Sequence, residues 1–346
     1  MNTKENFLWI SNLRVIAIIA VIFVHTASPL VVKFGVLSNE LWNYANFYDA
    51  IFRFCVPVFV MISGALLLNK EYELRTFFIK RFVRIGLPFL FWSICYVLYS
   101  IFIKTDDYKK LHFFGIIKKL IRSVYFGSAY HLWYVYMLFG LLLIIPILNV
   151  WISKAKKNEI HYFLLVWFIT LLFKNFGFEN YKPAIDFSYF SGYVGYLVLG
   201  YYLSVIEIKN IKKWKIIAIL VFILGSLITF FSTYWFSVSK GKIDTSLYDF
   251  FSFNVLLASI GIFLFFRLSD FLNNKTNVVL VQISNLSYGI YLIHVLVLSI
   301  LDSFGINASF INPVIGTPIT VFLCLSISTL IIKIINSNKV GSYISG

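Results

Sequence analysis

Ten continuous apolar runs, each about 20 residues long, leave this 346-residue chain few ways to fold. They lie near 9–31, 46–68, 85–103, 132–152, 160–176, 187–206, 214–236, 248–268, 283–301 and 313–335. A helix of about 20 residues crosses the hydrocarbon core of a bilayer, where only helices and closed barrels satisfy every backbone polar group. The runs are not the alternating ten-mers of a barrel. The expected fold is therefore an all-α, polytopic membrane helical bundle of about ten transmembrane helices, with both termini on one side. Composition excludes a water-soluble alternative, since 60% of residues are apolar and 13% charged, against about 45–50% and about 25% in soluble domains. Disorder is excluded too, because it requires low hydrophobicity and few aromatics.

The formal charge of +15 reads as a topology signal and not as a nucleic-acid footprint, because Lys and Arg gather in the connections between runs. With the N-terminus inside, the basic stretches around 70–84, 154–157, 209–215 and 267–275 all fall on the cytoplasmic side, and both termini with them. The first run follows one lysine, Lys4, and precedes no small-residue cleavage site, so a retained helix is expected in place of a signal peptide. The segment 104–130 breaks the charge rule, with Lys104, Lys109, Lys110, Lys118, Lys119 and Arg122 on the expected outer side. It also sets Leu111, Phe114, Ile117, Leu120, Ile121 and Val124 at helical spacing, the pattern of an amphipathic helix lying on anionic headgroups. Residues 1–346 otherwise read as one integral-membrane domain. Cys55, Cys95 and Cys324 lie inside apolar runs with no CxxC or zinc-ligand spacing, so no metal is expected.

Ionisable groups inside membrane helices are costly, face the bundle interior and mark functional sites by default. Arg14 and His25 lie eleven residues apart, which on a helix is three turns plus about 20° and a rise of roughly 16 Å. They therefore point the same way from different depths. An uncharged imidazole at that depth suits a general base, while Arg14 keeps its charge and needs a carboxylate or a ligand phosphate. Arg81 and Arg84, three apart beside Lys80, complete a basic cluster whose planar guanidinium forks match phosphate oxygens. Asp49 and Arg53, four apart, are expected to neutralise each other. Beyond Pro57, Ser63 and Gly64 would let a backbone or ligand approach closely. An aromatic belt accounts for Trp133 and Tyr134 but not for His131, and Tyr288, Tyr291 and His294 form a polar stripe on an apolar helix. The residues alone fit either an enzyme or a transporter of a polysaccharide precursor or proton-coupled solute. No inverted repeat and no matched pair of broken helices favours transport.

Five strings in order resemble acyltransferase family 3, within it the surface-polysaccharide O-acetyltransferase branch. They are the Arg14–His25 pair with ten residues between, PVFVMISG at 57–64, KRFVRIGLP at 80–88, HLWYVYML at 131–138 and LSYGIYLIH at 286–294. The resemblance covers nearly the whole chain. It implies a multi-pass enzyme of the cell membrane that moves an acyl group, usually acetyl, from cytoplasmic acetyl-CoA to a hydroxyl of a cell-surface or lipid-linked sugar. Carried over by position, it makes His25 the essential histidine and Arg14 its partner, with Arg81 and Arg84 at the coenzyme. Ser63, His131, Trp133, Tyr288, Tyr291 and His294 are the expected substrate-binding residues, with Ser63, Tyr291 and amides near Gly64 as oxyanion donors. Direct attack on the thioester and an acyl-histidine intermediate both remain open. Some relatives carry an extracytoplasmic hydrolase-like domain; here the transfer is expected to finish in the membrane domain or on a partner. The expected partners are the bilayer, a sugar or polysaccharide acceptor and, in a homo-oligomer, a second copy. No nucleic acid is among them.

Overall fold

The computed structural model describes residues 5–104, 112–174, 190–269 and 278–346. Lys4, Lys109, Lys110, Leu111 and Lys275 lie outside the described residues, as do the adjoining ends of the runs at 160–176 and 187–206. The described residues are all helix and connection, without a strand. The helices are α1 (Glu5–Val31), α2 (Asn39–Phe52), α3 (Cys55–Leu67), α4 (Leu74–Arg81), α5 (Leu87–Tyr99), α6 (Phe113–Phe126), α7 (Trp133–Ile152), α8 (Lys157–Lys174), α9 (Tyr193–Val205), α10 (Ile211–Lys240), α11 (Phe253–Arg267), α12 (Val278–Ser303), α13 (Pro313–Ile335) and α14 (Ser342–Ser345). Eight helical spans among the described residues are long and apolar enough to cross a membrane. The other two expected spans correspond to α8 and to α9, which is apolar but short.

The run at 46–68 is two helices and not one, broken at Arg53 and Phe54. Pro57 supplies the reason, because its nitrogen has no hydrogen to give the carbonyl of Arg53 and it suits the first turn of a new helix. The break sets Asp49 and Arg53 at the start of the gap, where they pair at 2.5 Å as their spacing implied. α1 lies at the centre, packed by α2, α3, α11, α12 and α13. Its apolar residues run all round it, the mark of a helix buried on every side, and Leu13, Ala17, Ile18 and Ile22 are fully enclosed. By contrast, Ile216, Leu220, Ile223, Leu224, Leu227 and Phe231 of α10 face outward, a stripe that only lipid or another apolar surface can cover.

Where helices approach most closely, glycine is the reason. A side chain at Gly64 of α3 would begin 1.9 Å from the carbonyl oxygen of Leu197 on α9, and one at Gly200 of α9 would begin 2.1 Å from that of Met61. The small pair Ser63-Gly64 thus admits a neighbouring backbone, and this contact fixes the wall that carries Ser63. At the far end of α3, Asn149 of α7 donates to the carbonyl of Leu67 at 3.1 Å and accepts from the amide of Lys70. α6 holds none of its residues buried and exposes Phe113, Phe114, Ile121, Tyr125 and Phe126. The Tyr136 hydroxyl donates to the Val124 carbonyl and ties α6 to α7.

Candidate active site

α1 and α12 run side by side in the same direction. An Arg14 guanidinium nitrogen donates to the Ser284 hydroxyl at 3.4 Å, and nearer their C-terminal ends the rings of His25 and His294 lie 5.1 Å apart, centroid to centroid. The two residues that the sequence placed on one face of α1 therefore look along the same face of α12. Pro29 follows His25 by four residues and has no N–H, so the His25 carbonyl loses its intrahelical partner.

Around Arg14 is a cavity of about 190 Å³ lined also by Ser63, Arg81, Arg84, Tyr288 and Tyr291. All six were expected site residues. Arg81 ends α4, and Arg84 sits in a π-helical turn, Phe82–Gly86, a distortion that recurs at functional sites because it re-aims side chains. The Tyr288 hydroxyl donates to the Ile85 carbonyl at 2.8 Å, holding that turn against α12. Among the described residues none of the three arginines pairs with a carboxylate, and no acidic residue lines the cavity. Three fixed positive charges thus face a half-open space with no side-chain carboxylate in its lining, which suits an anion.

A second cavity, of about 470 Å³, surrounds His25 and is lined by His131, Trp133, Tyr134, Tyr291 and Arg53 among others. Tyr134 and Tyr291 line both cavities and form the partition between them. Three imidazoles from three separate parts of the chain meet here, with ring centroids 5.1 Å apart for His131 and His294 and 6.2 Å for His25 and His131. His131 and His294 are buried, whereas His25 is partly open to the cavity. His294 lies behind His25 and lines neither space. Its Nδ1 is 2.6 Å from the Tyr291 carbonyl oxygen. A carbonyl can only accept, so the proton is assigned to Nδ1, and the buried Nε2 makes no hydrogen bond. No group of three His, Cys, Asp or Glu side chains among the described residues is placed to hold a metal ion.

The expected oxyanion donors fare less well. The Ser63 hydroxyl donates to the Phe59 carbonyl at 2.9 Å and opens on the arginine side, away from His25. The Tyr291 hydroxyl donates to the carbonyl of His131. Both protons are engaged, because a serine one turn beyond a helical carbonyl bonds back to it and a buried phenol takes the nearest acceptor. Tyr134, which an aromatic belt would have explained, is better placed. Its hydroxyl donates to no protein acceptor among the described residues while its ring packs 5.3 Å from that of Tyr291.

Tyr96 of α5 carries no motif and enters the site from the side. Its hydroxyl donates to the Leu292 carbonyl at 2.9 Å and accepts from the Leu296 amide at 3.1 Å, inserting into the ladder of α12 around His294.

The described residues thus form a polytopic helical bundle with a basic cavity and a histidine cavity on either side of one partition. The family model described as an acyltransferase domain matches residues 7–335. The chain belongs to acyltransferase family 3 and is a multi-pass membrane acyltransferase. No curated protein and no solved structure matches it.

Proposed function

We propose that the protein transfers an acetyl group from cytoplasmic acetyl-CoA to a hydroxyl of a cell-surface or lipid-linked sugar on the opposite face of the cell membrane, with His25 as general base. The observation that carries this reading is the partition of Tyr134 and Tyr291, which separates three guanidiniums unpaired with any side-chain carboxylate from His25. Coenzyme A has a polyanionic nucleotide and a slender neutral arm ending in the thioester. The arginine cavity, at about 190 Å³, is smaller than the roughly 300–1,000 Å³ of sites that enclose a drug-sized ligand. It admits the arm, while Arg14, Arg81 and the exposed Arg84 hold the phosphates at its mouth. The rise of roughly 16 Å from Arg14 to His25 is then the reach of the arm.

At the partition, the sugar oxygen attacks the thioester carbonyl as its proton passes to His25. The carbon–oxygen ester bond forms, the carbon–sulfur bond breaks, and the proton on His25 goes to the departing coenzyme A sulfur. The Tyr134 hydroxyl is the donor available to the tetrahedral oxyanion. Tyr134→Phe is expected to slow transfer about a hundred-fold, the usual loss for one such donor, with coenzyme A affinity unchanged. An unaltered rate in single-turnover assays would remove Tyr134 from this role.

The coenzyme site is tested by calorimetric titration of coenzyme A into purified protein. Arg84→Ala should weaken binding about ten-fold, within the range for a lost charge-assisted hydrogen bond, and slow turnover at saturating donor much less. Arg14→Ala, which removes the more buried guanidinium and its bond to Ser284, should impair both. Equal affinity in the wild type and both variants places the nucleotide elsewhere.

A further inference from the structure

Beyond His25 lies a third space, of about 550 Å³, between the end of α1, α2 and the connection from α10 to α11. It meets the histidine cavity along a neck formed by Ser28, Val32 and Arg53, which line both. None of its own residues was an expected site residue. We propose that this vestibule binds the terminal, uncharged sugar of the acceptor and presents one hydroxyl to His25 through the neck. The proposal rests on the acyl-transfer reading above and adds where, and by what chemistry, the acceptor is held.

Charge gives the first reason. The arginine cavity has three guanidiniums and no side-chain carboxylate, whereas the vestibule has Asp49 and Asp249 against Arg53. The side chains of its lining sum to one negative charge, against three positive in the arginine cavity, which makes it the poorer site for phosphate and leaves guanidinium donors, the Thr245 hydroxyl and the hydroxyl oxygens of Ser28 and Ser246, whose protons go to Asp49 and Asp244, for a polyhydroxylic ligand. The aromatic wall gives the second, since the partly exposed Phe251 offers apolar ring surface to the C–H face of a sugar. At the passage to His25, Trp133 and Phe250 stack with centroids 5.9 Å apart.

Preorganisation gives the third reason. The Ser28 hydroxyl donates to Asp49 at 2.6 Å and Arg53 pairs with the same carboxylate. The Arg53 guanidinium lies 4.2 Å over the Tyr248 ring, whose hydroxyl donates to Asn46 at 2.5 Å. The connection is shaped as firmly, since Asp249 accepts from the Phe251 amide at 2.7 Å and Asp244 from the Ser246 amide at 2.9 Å. Burial alone would raise the Asp244 carboxyl, but hydrogen bonds from Lys240 and Ser246 hold it down to about 2, so this loop keeps its form at ordinary pH. A site already ordered spends little binding free energy on ordering its own side chains.

Blockade from the rim tests the proposal. Thr245→Cys and, independently, Ser246→Cys, both at exposed positions, are coupled to a bulky membrane-impermeant maleimide in membranes of the native host, which contain the natural acceptor. The unsubstituted protein sets the background from its three free cysteines. Label passing from radioactive acetyl-CoA to glycan is counted beside coenzyme A binding to the same preparations. Coupling should cut glycan labelling by about ten-fold or more while coenzyme A affinity changes by less than about two-fold. Neutral oligosaccharide released from the host's glycans should slow coupling where inorganic phosphate does not. Undiminished labelling after full coupling at both positions, or equal protection by phosphate, overturns the vestibule and leaves acyl transfer standing. If the uncoupled wild type labels no glycan in a His25-dependent way, the acyl-transfer reading fails and the vestibule with it.

Discussion

His25→Ala is expected to lower acyl transfer by about 10²–10⁴-fold, the span attributed to a positioned general base, while coenzyme A still binds. The His25 ring lines its cavity and forms no hydrogen bond to another described residue, so its removal takes away a reactive group without orphaning a partner. Its neighbours stay fixed by other contacts, His294 by the Tyr291 carbonyl and Tyr291 by the carbonyl of His131. The variant should therefore fold, bind coenzyme A through Arg14, Arg81 and Arg84, and fail at the chemical step. Loss of thioester from labelled acetyl-CoA, followed together with label in glycan, measures this. A wild-type rate removes the catalytic assignment.

The largest effect on stability is expected at Asp49. Its side chain is completely buried, holds Arg53 at 2.5 Å and accepts from Ser28. Asp49→Ala leaves the largely buried Arg53 charge without its carboxylate, a loss of about 3–5 kcal/mol where such a pair is broken from one side. Exchanging the residues, Asp49→Arg with Arg53→Asp, restores charge balance and should recover a measurable part of that stability. Thermal unfolding in detergent reads both. A single variant that melts with the wild type would show that the pair contributes little to the fold. Because the pair also lines the neck, its loss should deform the vestibule as well.

Much of this architecture was legible in the sequence because it rests on local rules. Apolar runs report membrane spans through length alone, and the Arg14 to His25 interval reports a shared face through helical geometry. The Asp49–Arg53 pair follows from i,i+4 spacing in the same way. The arginine cavity was legible too, since Arg81 and Arg84 are neighbours in the chain. The break before α3 had a signal in Pro57, which a reading by hydropathy alone passes over. The triangle of imidazoles had none, because α1, the turn at Tyr130–Leu132 and α12 are brought together only by packing. Tyr96 and the vestibule depend in the same way on contacts between distant segments. That Ser63 and Tyr291 donate to the Phe59 and His131 carbonyls was not legible for a different reason: sequence shows that a hydroxyl is present and not where its proton goes.

Acyl groups are expected to pass from the arginine cavity on one membrane face to an acceptor on the other by way of His25. Inside-out membrane vesicles of the native host expose the cytoplasmic face to added radiolabelled acetyl-CoA and enclose the surface glycans. The expected result is labelled ester on lumenal glycan, protected from added esterase until the vesicles are opened and missing from vesicles that carry His25→Ala. Label that external esterase removes from sealed vesicles, or label that persists in the His25→Ala vesicles, would contradict it.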